Sequence, residues 1–373
     1  SQMEFGIFAQ VFVPGFESEA DESAEHRRHV ENLDMAVRAD RAGYKYVWAP
    51  EQHFLEEYSH APAPEVFLSF VAARTEQVHI GASIFNITPP VNHPARVAER
   101  VALIDQLSDG RVEFGTGRGS SSTEFMGFGI PDGDITRDMY DECLPQILRM
   151  WSETDYSHEG EFFSMPSRNV LPKPYQKPHP PIWVAAGNTP TFEKAGSLGI
   201  GLHCFVTGPV TGLEPKVKAY KAAIQTAQPV GDYVNDNLMV VGTMLCMEDR
   251  DEAFETFTRI NNNYYMSLVF RWLDTFAHPP GVPEWPERLP EPTVEQVKAG
   301  AEAGMYCVGD PDDCARYVQQ YVDIGVDQLT FSPLTTTHPF EEAMASMELF
   351  GREVIPRFDT DPVHSTTRMR EQA

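Results

Sequence analysis

The sequence has few cysteines, few basic residues and no long apolar run. Its five cysteines among 373 residues show no CxxC spacing, which disfavours a disulfide framework and a structural zinc site. Only 29 lysines and arginines stand against 55 acidic residues, and the formal net charge of −26 repels nucleic acid and anionic lipid. No apolar run approaches the length of a membrane span. We therefore expect a soluble protein of the reducing cytoplasm that binds neither nucleic acid nor a membrane.

Three common signatures of catalytic or metal sites are also missing. The glycine-rich run at 115–120 ends in Ser120, so it is not the GxGxxG fingerprint of dinucleotide-binding domains. The serines at 120–122 do not form a GxSxG elbow, which gives hydrolase chemistry little support. His26 and His29 share a helix face, but no nearby carboxylate completes a metal site. We expect no metal.

Short apolar runs alternate with longer periodic segments along the chain, and 42% of the residues are hydrophobic. Eight predicted strands separated by helices indicate an α/β fold in which a parallel sheet closes into a (β/α)8 TIM barrel. The predicted strands are 5–8, 44–48, 78–84, 111–115, 182–186, 200–205, 238–246 and 327–331. The predicted helices are 23–42, 64–75, 94–107, 136–151, 191–198, 213–227, 249–266, 310–325 and 340–354. One domain, 1–373, accounts for the whole pattern.

Two insertions interrupt the alternation, and we expect them at the C-terminal mouth of the barrel. The segment 156–181 is rich in proline and predicts a hairpin around Gly160, with Phe162 and Phe163 near the mouth. The segment 271–304 is rich in Pro, Glu and Gly and is too irregular for a strand. Long insertions in compact domains serve as lids or binding loops, and surface decoration is the alternative.

Polar residues follow the predicted strands, where barrel enzymes carry their active sites. After the second strand come Glu51 and His53, and a histidine there can move a proton near neutral pH. The alternative is a packed histidine bonded to Glu51 or to the backbone. After the third strand come Phe85 and Asn86; the amide of Asn86 suits a planar heterocycle, although an asparagine in a loop also forms turns.

The fourth and fifth strands end in segments that suit a phosphate. Arg118 follows the fourth strand within the glycine-rich run, and Gly187, Asn188, Thr189 and Thr191 open the helix after the fifth. A fixed positive charge, free backbone amides and hydroxyls together bind phosphate at a helix N-terminus. Helix capping by Thr189 or Thr191 is the alternative, and capping and phosphate binding can coexist.

Several of these segments together resemble the bacterial luciferase-like family of flavin-dependent monooxygenases. The densest match combines HPARVAER at 93–100 with LSDGRVEFGTGRG at 107–119, and LPKPYQKPHPP at 171–181 is a second hallmark. The resemblance also covers 51–54, 71–80 and the final β/α unit, and therefore most of the chain.

The resemblance implies a (β/α)8 barrel that uses reduced FMN, supplied by a separate flavin reductase, and O2 to insert one oxygen atom into a small organic substrate. Arg118 and the hydroxyl residues near Asn188 and Thr191 would hold the FMN phosphate. The Phe85–Asn86 region would lie under the flavin ring, where relatives carry a non-proline cis peptide. His53 would bind substrate or the oxygen species, and relatives pair as homodimers through helices on one flank of the barrel.

One position departs from the family pattern. Luciferases of the family often read Glu-His-His-Phe, whereas this chain has Gln52 in place of the first histidine. Glutamine is neither an acid nor a base at neutral pH, which disfavours light emission and leaves hydroxylation or oxygen insertion. Two alternatives remain: a flavin- or F420-dependent dehydrogenase on the same barrel, and a non-catalytic flavin-binding protein.

Overall fold

A computed structural model describes residues 2–205, 208–260, 262–275, 278–334 and 337–373. The strands within these residues are β1 (Glu4–Phe8), β2 (Tyr46–Ala49), β3 (His79–Ala82), β4 (Phe85–Asn86), β5 (Val112–Gly117), β6 (Tyr156–Glu159), β7 (Ser164–Arg168), β8 (Ile182–Ala185), β9 (Gly201–Phe205), β10 (Leu238–Gly242), β11 (Met244–Cys246), β12 (Cys307–Gly309) and β13 (Gln328–Phe331). Eight of them are parallel and form a closed ring in the order β1-β2-β3-β5-β8-β9-β10-β13, and hydrogen bonds between β13 and β1 complete it.

Helices connect the strands around the outside of the ring, as the alternating pattern predicts. They are α1 (Gly15–Ala20), α2 (Ala24–Arg41), α3 (Pro64–Arg74), α4 (Pro94–Leu107), α5 (Ser122–Gly127), α6 (Ile135–Ser152), α7 (Thr189–Ser197), α8 (Val210–Ile224), α9 (Arg250–Phe257), α10 (Asn262–Trp272), α11 (Val294–Glu302), α12 (Pro311–Ile324), α13 (Phe340–Glu353) and α14 (Ser365–Glu371), with a 3-10 turn at Ile355–Arg357. The (β/α)8 TIM barrel predicted from the sequence is confirmed. None of the helices in the described ranges is both long and apolar enough to cross a bilayer.

Local sequence signals explain where the helices begin and end. α12 starts at Pro311 behind a capping box between Asp310 and Asp313, and it stops at Gly325, whose φ of 97° suits glycine. α4 begins with Pro94 at its first position, and the His93 side chain accepts the Ala95 N–H. These boundaries follow from chemistry that is visible in the sequence.

Large side chains fill the interior of the ring. They come from strands on opposite sides of the ring and therefore meet on its axis: Phe8, Tyr46, Trp48, Trp183, Met239 and Val241. One end of the axis is closed by α14, where Ser365 donates a hydrogen bond to Glu4 and Thr366 donates one to Glu113. The opposite end, to which the strands point with their C-termini, is the open mouth.

Two predicted elements divide in the structure. The predicted strand 238–246 becomes β10 in the barrel and β11, which pairs with β12 in a separate two-stranded sheet. The predicted helix 249–266 becomes α9 and α10. The apolar periodicity of the sequence continues through both breaks. What distinguishes the two parts of each element is the structure they pack against: β11 pairs with β12, and α9 and α10 belong to different apolar clusters.

The two insertions contain regular structure. β6 and β7 form the predicted antiparallel hairpin around Gly160, and Phe163 packs against His158 and His93. The second insertion, 271–304, contains the end of α10 and the helix α11, which begins with a capping box between Thr293 and Gln296. That Thr-x-x-Gln pattern was available in the sequence as a helix signal.

Candidate active site

The loops after the barrel strands meet at the mouth. β5 and β8 are paired so that Thr116 lies opposite Val184. Arg118 follows β5 by one residue and the segment 187–191 begins two residues after β8, so both lie beyond the C-terminal ends of these neighbouring strands. Because parallel strands all end on one side, the loops after β2, β4, β5 and β8 surround a common space, the usual place for a barrel active site.

Glu51 and His53 form a hydrogen-bonded pair at this mouth. His53 Nε2 lies 2.6 Å from Glu51 Oε2, which is within hydrogen-bond distance. Glu51 is buried, and its other oxygen accepts the backbone N–H of Asn86 at 3.1 Å, while the Asn92 amide donates to both oxygens. The carboxylate therefore orients the imidazole and ties the loop after β2 to the loop after β4. Sequence reasoning placed both residues at this end of the barrel, and the bond between them is the one that the alternative interpretation, a packed histidine bonded to Glu51, predicts.

The surroundings of His53 shift its titration. Burial lowers the pKa of His53, but the hydrogen bond and charge of Glu51, with a further contribution from Glu124, outweigh it, and the net pKa lies above the usual value. The ring also packs edge-on against Phe128, with the centroids 4.9 Å apart. An imidazole held in place and biased towards its charged form is suited to donate a proton or a hydrogen bond at neutral pH.

Glu124 is a buried carboxyl group at the mouth that the sequence analysis did not single out. Its Oε1 accepts the backbone N–H of His53 at 2.8 Å, and its Oε2 accepts that of Ser120 at 3.4 Å. Burial raises the pKa of Glu124 to about 7 in spite of the two N–H donors. The group joins the loop after β2 to the loop after β5, and it titrates near neutral pH.

One sequence signal pointed towards Glu124 but would have assigned it another role. Ser121 and Glu124 match the Ser-x-x-Glu pattern of a capping box, in which the glutamate accepts the N–H of the capping residue itself. In the structure Ser121 does cap α5, by accepting the Thr123 N–H, while Glu124 turns to His53 and Ser120. The contact with His53 spans 71 positions in the sequence and depends on the closed barrel.

Arg118 lies at the end of β5 with part of its guanidinium unpaired. Its Nη1 donates a hydrogen bond to Thr136 Oγ1 at 2.9 Å and lies 3.5 Å from the carbonyl oxygen of Gly133. Within the described ranges, no carboxylate lies within 4.0 Å of this guanidinium. Burial and the neighbouring charge of Arg137 lower the pKa of Arg118, and they outweigh the opposite effect of the charge of Asp134. A half-buried cation with a second cation beside it, and no acidic partner at that distance, is an environment that an anion stabilises.

The residues expected to complete a phosphate site occupy the start of α7. Asn188 caps this helix by accepting the Thr191 N–H at 3.0 Å, and Thr191 Oγ1 in return accepts the Asn188 N–H at 3.2 Å. Gly187, whose carbonyl accepts from Lys216 Nζ at 3.0 Å, and Thr189 are exposed beside this capping box. The side chains of Asn188 and Thr191 thus have partners within the helix. The helix is capped, as the alternative interpretation predicts, but the N-cap is Asn188, with Thr191 as the reciprocal member of the capping box and not as the cap.

Phe85 and Asn86 form β4, whose residues pair with Thr116 and Gly117 of β5. Phe85 is buried in the main core, and Asn86 Oδ1 accepts from the backbone N–H and hydroxyl of Thr88. The side-chain oxygen of Asn86 therefore forms a turn, as the alternative interpretation predicts. A cis peptide bond joins Ser83 to Ile84, directly before this strand.

The glycines of the run 115–120 have distinct roles. A Cβ on Gly115 would lie 1.7 Å from the Ala82 carbonyl oxygen, and one on Gly117 would lie 2.4 Å from the Ile84 side chain. Both glycines therefore permit close packing of β5 against the neighbouring β3 region. Gly119, with a φ of 94°, makes the turn that follows Arg118. The sequence suggested that the whole run exposes backbone amides to a phosphate. In the structure Gly115 and Gly117 serve packing, so only the turn at Gly119 keeps that role as a candidate.

Comparison with known proteins finds both flavin-dependent and F420-dependent oxidoreductases among the relatives of the chain. The luciferase-like monooxygenase family matches residues 3–328. The oxygenase component of the flavin-dependent trigonelline monooxygenase of Acinetobacter baylyi is 26% identical, over 97% of both chains. An F420-dependent glucose-6-phosphate dehydrogenase of Kineococcus radiotolerans is 28% identical, over 90% of this chain and 94% of its own length.

A solved structure shows the same fold. The oxygenating constituent of the 3,6-diketocamphane monooxygenase of Pseudomonas putida, a type II Baeyer-Villiger enzyme in complex with FMN, superposes with a TM-score of 0.76 at 20% identity, over 96% of this chain and 99% of its own. The family match extends over most of the barrel, from β1 into β13. The chain therefore belongs to the luciferase-like monooxygenase family.

Proposed function

We propose that the protein is the oxygenase component of a two-component monooxygenase, which takes reduced FMN from a separate flavin reductase and inserts one atom of O2 into a small organic substrate. Arg118 is the observation that carries this proposal: a half-buried guanidinium at the mouth, with no carboxylate within 4.0 Å among the described residues. Relatives that act on trigonelline and diketocamphane by name support oxygenation.

The residues at the mouth suit a flavin mononucleotide. Arg118 would bind the phosphate, and the charge of Arg137 nearby would add to the attraction. Thr189 and Gly187 at the exposed start of α7 would offer backbone N–H groups to the same phosphate, with Asn188 and Thr191 holding the turn in shape. Phe85 and Asn86 would support the flavin ring from β4.

Bound reduced flavin supplies two electrons and the reaction with O2, and the protein controls what surrounds that chemistry. His53, held by Glu51 through Nε2, would donate a hydrogen bond or a proton from its other ring nitrogen, Nδ1, to the reacting oxygen. Glu124 would keep the His53 loop fixed against the loop that carries Arg118. Phe54 and Phe128, with ring centroids 5.1 Å apart, would place an apolar wall beside His53.

We also propose that the protein is a homodimer joined through α2 and α3. These helices present three large apolar side chains that are at least half exposed: Val30 at 50%, Val66 at 56% and Phe70 at 59%. They line a groove of about 370 Å³ between the two helices. Burial of such a patch against a second copy would remove this apolar area from water.

Isotope labelling tests the oxygenation. The protein, a flavin reductase, NADH and FMN would be incubated under 18O2 with a panel of terpenoid, N-methylpyridinium and ketone substrates, and products would be analysed by mass spectrometry. One 18O atom per product molecule is the expected result. Substrate oxidation that needs F420 and incorporates no 18O would identify a dehydrogenase, and tight FMN binding without turnover of any substrate would identify a flavin-binding protein.

A further inference from the structure

We propose that Gln10 and Gln52 form a substrate subsite at the mouth, which selects an uncharged group able both to donate and to accept hydrogen bonds, such as a hydroxyl or a primary carboxamide. The inference rests on the proposed function, because it assigns this subsite to the organic substrate of that reaction. It assigns a role to Gln52, the residue at which the chain departs from the family pattern.

The two glutamines follow neighbouring strands of the barrel. β1 and β2 are paired with Phe8 opposite Trp48, and Gln10 and Gln52 lie two and four residues beyond that pair. Both also contact one short segment, 59–61. The carbonyl of Gln10 accepts from Ser59 Oγ at 2.7 Å, and the backbone N–H of Gln52 donates to the Ala61 carbonyl at 2.9 Å. The same segment thus holds both residues on the β1–β2 side of the mouth.

Each glutamine has a buried polar atom without a partner among the described residues. Gln10 is 5% exposed; its Oε1 accepts from the Tyr265 hydroxyl at 3.4 Å, while its Nε2 has no acceptor. Gln52 has its Oε1 buried without a donor. Buried polar groups in folded proteins are nearly always hydrogen-bonded, so each exception calls for an explanation, and a bound ligand is one group that can supply the partner. The pair presents one donor and one acceptor.

An apolar and aromatic cluster lies on the Gln10 side of the pair, and the hydrogen-bonded Glu51 and His53 flank Gln52 in the chain. An aromatic and aliphatic cluster packs α10 onto the loops after β1 and β2, and its members are Phe12, Leu55, Tyr58, Tyr264, Leu268 and Leu273. The Tyr58 hydroxyl lies 3.3 Å from that of Tyr265, which in turn binds Gln10. A few convergent polar atoms in an apolar wall are the usual basis of small-molecule specificity.

Hydrogen-bonding capacity decides which substrates the pair favours. A hydroxyl accepts from Gln10 Nε2 and donates to Gln52 Oε1, and a primary carboxamide does the same through two atoms. A ketone or an ether has no hydrogen to donate, so it can accept from Gln10 Nε2 but leaves Gln52 Oε1 without a donor. A hydrocarbon satisfies neither, and neither carboxamide offers the positive charge that a buried carboxylate requires. A site built to hydrogen-bond a substrate group discriminates strongly against an analogue that lacks it.

Binding of four matched probes to the FMN-loaded protein tests the subsite. The probes are benzyl alcohol, benzamide, toluene and benzoate, and their dissociation constants would be measured from changes in flavin absorbance. For the wild type, benzyl alcohol and benzamide should bind about tenfold or more tighter than toluene and benzoate. Gln10→Met and Gln52→Met, which keep the length of the side chain, should reduce this preference while toluene binding is kept. Gln225→Met, at an exposed position, is the matched control.

Thermal unfolding of the same variants provides a second readout. Since both glutamines leave a buried polar atom unmet, replacement by methionine should keep or raise the Tm of the ligand-free protein. A lowered Tm with an unchanged ranking of the probes would make the glutamines structural and overturn the inference, as would a wild type that does not rank the probes. Failure of the wild type to bind FMN would instead overturn the proposed function.

Discussion

Glu124 accepts the backbone N–H of His53 at 2.8 Å, so a carboxyl group from the loop after β5 holds the loop after β2 in place. Its second oxygen accepts the N–H of Ser120, two residues after Arg118. One buried side chain thereby links the two loops that carry the candidate acid–base residue and the candidate phosphate-binding residue. Its protonation near neutral pH makes this link sensitive to pH.

Replacement of Glu124 by glutamine should change how stability depends on pH. Burial raises the pKa of Glu124 to about 7 from an unfolded value of 4.5, so the stability it contributes at acid pH is lost as the pH rises through 7. Glu124→Gln has no such loss. From pH 5.5 to pH 8, its unfolding free energy should rise by about 2 kcal/mol relative to the wild type.

Urea unfolding at several pH values measures this difference. Losing the hydrogen bonds of Glu124 lowers the unfolding free energy of the variant by the same amount at every pH, so it does not affect the change with pH. Glu287→Gln, at an exposed position, serves as the control and should follow the wild type. Parallel curves for Glu124→Gln and the wild type across this pH range would show that Glu124 does not titrate where its burial indicates.

Glu51 should set the protonation of His53. Burial alone lowers the pKa of His53, and it is the Glu51 hydrogen bond and charge that bring it above its usual value. In Glu51→Gln the burial remains while the charge is gone, so the pKa of His53 should fall below 6.5. NMR titration of labelled histidine side chains measures it, with His53→Gln used to assign the signal. An unchanged pKa of His53 in Glu51→Gln would contradict the claim that Glu51 sets the protonation of His53.

An acidic residue on the α2–α3 patch should prevent dimer formation. Phe70 is 59% exposed, and a charge at this position in an interface would be buried without a partner. Phe70→Glu should sediment as a monomer, whereas the wild type should sediment as a dimer. Leu107→Glu replaces another exposed apolar residue, 73% exposed at the end of α4, and should remain dimeric. A monomeric wild type would remove the basis of the dimer proposal.

Local chemistry made much of the fold predictable. Pro94 and the apolar spacing behind it gave α4 its observed limits, and Asp310 and Gly325 marked the ends of α12. Such signals depend on neighbours within one helical turn. The break between β10 and β11 depends instead on pairing with β12, some sixty residues further along the chain, so apolar periodicity could not reveal it.

The site was predictable in position more than in detail. Glu51, His53 and Arg118 could be placed at the mouth because each follows a strand, and in a parallel barrel every strand ends there. Glu124 was missed because its partners belong to another loop. The chemistry of Asn188 and Thr191 suggested that their side chains bind the phosphate, whereas in the structure each side chain hydrogen-bonds to the backbone of the other residue. Hydrogen bonds between distant loops are set by tertiary packing, and a single sequence does not contain them in readable form.

Binding of FMN and riboflavin to the wild type and to Arg118→Ala tests the central claim most directly. The two ligands share the ring system and differ in the phosphate, which the account places against the Arg118 guanidinium. Loss of charge-assisted hydrogen bonds should weaken FMN binding about 10- to 100-fold and leave riboflavin binding unchanged. Equal affinity of Arg118→Ala and the wild type for FMN, or an equal loss for both ligands, would contradict the account.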